Sequence, residues 1–223
     1  MPEELSLPVL PQATGVASGQ PASPVRRARW LAWLGVAWHG VEALVAIAAG
    51  VLAGSVALLG FGADSLVEGL AGVILVWRFG SARASSERAE RRAQRLIGVS
   101  FALIAAYVSL EAVRSLAIAS RPDVSWIGIG LSGVSLLTMP PLARAKAGVA
   151  RQLGSSATAS EGRQNMLCAY LSAALLIGLA ANAAAGWWWA DPLVALVIAG
   201  VAVREAGRAW RGEHCRCCAG PPG

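Results

Sequence analysis

The sequence predicts an all-α membrane protein with six transmembrane helices and both termini in the cytoplasm. Three observations lead there. Only 14% of the 223 residues are charged, against 56% hydrophobic, and mean hydropathy is +0.55; a soluble domain carries about a quarter charged residues. Six apolar stretches approach the ~20 residues a helix needs to cross a ~30 Å hydrocarbon core. The basic residues, finally, gather in short clusters between those stretches.

The elements follow in order. Residues 1–25, rich in Pro, Ser, Gly and Ala, read as a disordered cytosolic tail. They do not form a cleavable signal, because the apolar run that follows is too long for one. The spans run approximately over residues 30–52, 56–77, 96–119, 124–142, 164–184 and 187–203. The first two are joined only by Ala53-Gly54-Ser55 and the last two meet at Ala185-Gly186, so each pair reads as a tight helical hairpin. Gly50 and Gly54, four apart, favour close helix approach. The fourth span is expected to stop at Met139-Pro140-Pro141, since proline has no N–H to continue the helical ladder. A six-helix domain over residues 26–208 and a short Cys/His-containing cytosolic tail over 209–223 complete the division.

Positive charge sets the orientation. Arg26, Arg27 and Arg29 precede the first span, and Arg78, Arg83, Arg88, Arg91, Arg92 and Arg95 fill the connection from the second to the third. Arg144, Lys146, Arg151 and Arg163 lie between the fourth and fifth, and Arg204, Arg208, Arg211 and Arg216 follow the sixth. An even count of six puts 17 of the 19 basic residues on one side, leaving Arg114 and Arg121 on the other. Clusters so placed are topology signals rather than a nucleic-acid footprint. Trp187-Trp188-Trp189 falls at the outer interface, where indole rings anchor.

The second span carries Asp64 and Glu68. A charge near the bilayer centre costs roughly 3 kcal/mol, so such groups face an interior or a water-filled path. Four apart, the two carboxylates share one helix face and repel unless a cation or a shared proton lies between them. No basic residue in the span can neutralise them. This spacing points to a cation site.

The fifth span opens with Gln164 and Cys168, again four apart. An amide oxygen and a thiolate are suitable additions to two carboxylates, and sulfur favours zinc-like or softer ions; a buried cysteine also serves as a small hydrophobe. His39 and Glu42 share a face of the first span and suit either a permeation path or proton relay or a structural hydrogen bond between helices. Glu111 and Arg114, three apart, read as an ion pair, and Asp191-Pro192 as the acidic cap of the sixth helix. Cys215, Cys217 and Cys218 beside His214 form either a metal-capture tail or an ordinary reduced one. No nucleotide loop, Ser-His-Asp set or helical His-Glu-x-x-His motif is present, so an enzyme is not expected, nor a resident cofactor.

The segment from Gly54 to Glu68 resembles the second-helix signature of the cation diffusion facilitator family, and Gly186 to Pro192 resembles the start of that family's sixth helix. The resemblance implies a homodimeric antiporter that exchanges protons for zinc, manganese, iron, cobalt or cadmium exported from the cytoplasm. It implies a transport site of two side chains from the second helix and two from the fifth. Asp64 and Glu68 match the first pair, while Gln164 and Cys168 stand where the family commonly has His and Asp. Many members continue into a cytoplasmic metal-binding domain, for which the roughly 20 residues after the last span are too few. Multi-pass insertion in a bacterial inner membrane is the expected setting. The alternative is a membrane protein that keeps this fold and binds metal without transporting it.

Overall fold

A computed structural model describes residues 24–79, 87–153 and 156–211. Most of the N-terminal tail, the connection at 80–86 and the His214–Cys218 segment lie outside the described residues. Six helices make up the described chain: α1 Pro24–Ala53, α2 Val56–Phe79, α3 Glu87–Ala117, α4 Trp126–Leu153, α5 Ser156–Ala185 and α6 Ala190–Arg211. Four of them hold stretches long and apolar enough to cross a membrane: Arg26–Ala53, Gly98–Ala117, Trp126–Leu153 and Glu161–Ala185.

Helices α1, α3 and α5 end at one face of the molecule, and each ends on a left-handed residue: Gly54 (φ 63°), Ala119 (φ 50°) and Gly186 (φ 65°). Two ends share the Schellman closure, with Ser55 N–H on Gly50 O and Ser120 N–H on Ser115 O, and the third has the simpler αL closure, Gly186 N–H on Asn182 O; both satisfy a helix's last carbonyls. The short Gly54 and Gly186 turns make the predicted hairpins. Gly50 does sit against α2, where a Cβ would come 2.9 Å from Leu59 N. Gly54 instead meets nothing within 4 Å, so its role is the turn and not helix approach.

Two sequence expectations need correction here. α4 does not stop at Met139-Pro140-Pro141 but runs through both prolines to Leu153. Two missing N–H donors interrupt the ladder locally, while packing against α5 and α1 holds the helix on either side. Asp191 does cap a helix, but it is α2. Its carboxylate accepts the Val56 N–H at 2.9 Å, the Ala57 N–H at 3.3 Å and the Ser55 hydroxyl. The start of α6 lies beside the start of α2, whose first N–H groups have no partner within their own helix.

The most extensive packing joins α4 to α5, α1 to α2 and α3 to α6. α1 also packs on α4, and α2 reaches α5, giving a four-helix group with the α3–α6 pair laid against α2. Glycines on α2 allow the close α1 contact: a Cβ on Gly62 would come 2.7 Å from Ile47, and one on Gly72 2.8 Å from Val36. Phe61, Leu58, Met139, Leu175 and Ile198 fill the interior, while Leu44, Leu52, Leu103, Leu137 and Ile177 face outward. An apolar exterior with polar groups inside is what a lipid-facing bundle requires. Trp187 and Trp189 stack at the capped face, their ring centroids 5.3 Å apart. Glu111 and Arg114 pair at 3.5 Å as their spacing suggested.

Candidate metal centre

Helical spacing gives α1 one polar face, His39 with Glu42, and α2 another, Asp64 with Ser65 and Glu68. The α1–α2 hairpin turns these faces inward, and all five side chains are buried.

Glu42 is the hub. It is fully buried and accepts from four side chains: the Ser65 hydroxyl at 2.9 Å, the Ser135 hydroxyl of α4, His39 Nδ1 at 3.2 Å and the Cys168 thiol of α5 at 3.7 Å. A buried carboxylate is tolerated only when its lone pairs are met. Three other helices converge to do so.

Glu68 is served less fully. The Gln164 amide nitrogen donates to its Oε1 at 2.7 Å. Oε2, also buried, has no hydrogen-bond partner among the described residues. His39 Nε2 lies 3.4 Å from it, outside hydrogen-bond alignment. His39, Glu68 and Cys168 form a trio from α1, α2 and α5, with one ring nitrogen, one carboxylate oxygen and the sulfur all within 4.8 Å of one another. Asp64 stands one turn away on α2, buried but outside the trio, with Glu42 and Glu205 of α6 as charged neighbours.

On the far side of Glu68 from the capped face lies a second polar layer that the sequence did not suggest. Lys146, read from sequence as one of the interfacial positive charges, is buried inside the bundle. Its Nζ pairs with Glu161 Oε2 at 3.1 Å and donates to Asn165 Oδ1 at 3.2 Å. A Cβ on Gly35 of α1 would come 2.8 Å from that ammonium, so the glycine makes its room. The available signal was composition, a lone lysine in an arginine-rich chain. Glu42, Asp64 and Glu68 thus face an interior whose lysine is already committed to Glu161. The pocket carries an excess of buried negative charge, which a cation or protons must offset.

Of the residues singled out in the sequence, Glu68, Gln164 and Cys168 meet directly or through Glu42, and His39 and Glu42 join them. The sequence left open whether His39 and Glu42 serve the path or bond helices together; the structure places Glu42 against the Cys168 thiol and His39 facing Glu68.

Comparison with known proteins agrees with this architecture. The chain is 26% identical over 153 residues to transmembrane protein 163 of Xenopus laevis, covering 68% of this chain and 54% of that protein. It therefore spans about half the length of this curated relative. Residues 32–211 match the cation efflux transmembrane domain, a stretch that takes in every helix described above, and on that match the chain belongs to the cation efflux family.

Proposed function

We propose that the protein is a secondary transporter that exports a zinc-like divalent cation from the cytoplasm in exchange for protons. The observation that supports this most is the pocket between α1, α2, α4 and α5, where Glu42, Asp64 and Glu68 are buried with one oxygen of Glu68 left without a hydrogen bond. A protein keeps such a cost in a membrane interior when the site is meant for a cation. Asp64 and Glu68 supply the negative charge that draws the ion, and Cys168 and Gln164 line the site with them. Rocking of the helices then exposes the ion to the outer side, and protons reset the carboxylates.

In this reading all six helices cross the membrane, both termini are cytoplasmic, and the chain works as a homodimer in a bacterial inner membrane. The arginine clusters that a six-span reading gathers on one side support that orientation. A second reading, metal binding without transport, is favoured by Gln164, whose amide donates to Glu68 instead of presenting its oxygen to an ion.

Inverted vesicles with a panel of divalent metals and an internal pH-sensitive dye separate the two. Metal uptake with proton counterflow is expected from the native chain, with at least about a tenfold loss in Asp64→Ala. Unchanged uptake in that variant refutes the assignment of Asp64 and Glu68. Tight binding without flux selects the second reading.

A further inference from the structure

The unpartnered Glu68 oxygen and its neighbours narrow the kind of ion and the atoms that hold it. We propose that the bound ion is coordinated by His39 Nε2, Glu68 Oε2 and Cys168 Sγ, so that α1 supplies a ligand and the site selects a zinc-like cation over a hard one such as manganese. This rests on the reading of the pocket as a cation site.

The geometry carries the argument. Two ligands held ~2.1 Å from a tetrahedral metal stand about 3.4 Å apart, and His39 Nε2 and Glu68 Oε2 are separated by 3.4 Å. Among the described residues the buried Glu68 oxygen accepts no hydrogen bond, and His39 Nε2 is its ion-pair partner only when the ring is protonated. Cys168 Sγ lies within 4.8 Å of a His39 ring nitrogen and of a Glu68 carboxylate oxygen, leaving the small inward movement that a metal would draw. A nitrogen, a carboxylate oxygen and a sulfur are the donor types of zinc sites, whereas manganese and magnesium take oxygen-rich ones.

The surroundings fix the histidine for this task. Glu42, ionised, can only accept, so His39 Nδ1 carries the proton of their 3.2 Å bond. That leaves Nε2 as the nitrogen turned toward Glu68. A ligating histidine whose other nitrogen donates to a carboxylate is the usual outer support of a metal site, and its loss typically costs about 10- to 100-fold in affinity. Glu42 is thus a positioning residue for His39, as Gln164 is for Glu68 through its 2.7 Å bond to Oε1. Asp64, outside the trio, contributes charge to the pocket without holding the ion in this arrangement.

The test uses the purified full chain in lipid nanodiscs with cobalt(II) as the optical probe and zinc and manganese as competitors. Cobalt bound to a thiolate gives an intense near-ultraviolet charge-transfer absorption. The expected result is that band in a full chain whose Cys215, Cys217 and Cys218 are replaced by serine, displaced by zinc and not by manganese, and absent when Cys168→Ser is added. His39→Asn keeps a polar atom near Nδ1 for Glu42 and deletes Nε2; it should bind zinc at least about tenfold more weakly. Circular dichroism and size exclusion establish that each variant is folded, and His39→Gln, which places an amide near the Nε2 position, should recover part of the affinity. Native affinity in folded His39→Asn, or cobalt bound without the thiolate band, overturns the proposal. If vesicles of the native chain still transport metal in a manner dependent on Asp64, that result leaves the transport function standing. If the thiolate band is present but no metal crosses, transport falls and this donor set remains.

Discussion

Lys146 and Glu42 show how differently a buried charge is accommodated at two levels of one bundle. Glu42 draws hydroxyl, imidazole and thiol donors from α1, α2, α4 and α5, whereas Lys146 has one carboxylate and one amide. Removing one member of a buried pair leaves the other without compensation, and that is where the energetic penalty concentrates. Lys146→Met should therefore destabilise the protein by roughly 3 kcal/mol, at the low end for such pairs because Glu161 keeps some access to water. The double variant Lys146→Met/Glu161→Gln should recover more than half of that. Reversible unfolding in mixed micelles measures both; equal losses in the single and double variants would show that the ion pair itself contributes nothing. The acidic pair on α2 was legible from spacing alone, since the basic residue of their own helix, Arg78, stands more than two turns beyond Glu68. Lys146 was not, because an interfacial lysine and a buried one have the same local sequence, and only Glu161, Asn165 and the room beside Gly35 distinguish them.

Helix ends carry the next level of organisation. The turns at Gly54 and Gly186 were readable, as both require a left-handed residue that glycine adopts without strain. The extension of α4 past Pro140 and Pro141 was not readable. Proline argues for a stop, but the cost of two missing hydrogen bonds is local and the packing of α4 on α5 and α1 is not. Asp191 is a related case. Its position at the start of α6 announced a cap, and only the fold brought the free N–H groups of Val56 and Ala57 within its reach. Asp191→Ala should cost about 2 kcal/mol, the upper end for a lost cap, because it strips partners from α2 and from the Ser55 hydroxyl together. Asp191→Asn should cost less, since an amide oxygen still accepts. A similar loss in both variants would show that charge, and not capping, is what matters there.

Across the whole molecule, the placement of charge and of apolar surface tells the same story. The outward side chains are apolar, the carboxylates are enclosed, and the capped face carries the short turns at Gly54 and Gly186. With both termini in the cytoplasm, Cys215, Cys217 and Cys218 should resist a membrane-impermeant maleimide in intact cells and react in inverted vesicles. A cysteine replacing Arg121, in the α3–α4 connection at the capped face, should show the opposite pattern in a background lacking the tail cysteines. Labelling of both sets from the same side would rule out the six-span topology.

The sequence by itself determined the helical class, the hairpin turns and the presence of acids on α2, because each depends on local quantities: hydropathy, residue spacing and the conformational freedom of glycine. It also carried the family resemblance that the match over residues 32–211 bears out. What only the tertiary structure decided is which of the polar residues meet. His39, Glu68 and Cys168 are far apart in the chain and share no periodicity, and Ser135 reaches Glu42 across 93 residues. Such meetings depend on how closely the helices approach, which Gly62 and Gly72 set by leaving space on α2 for α1. A missing side chain records that space is available without naming what will fill it.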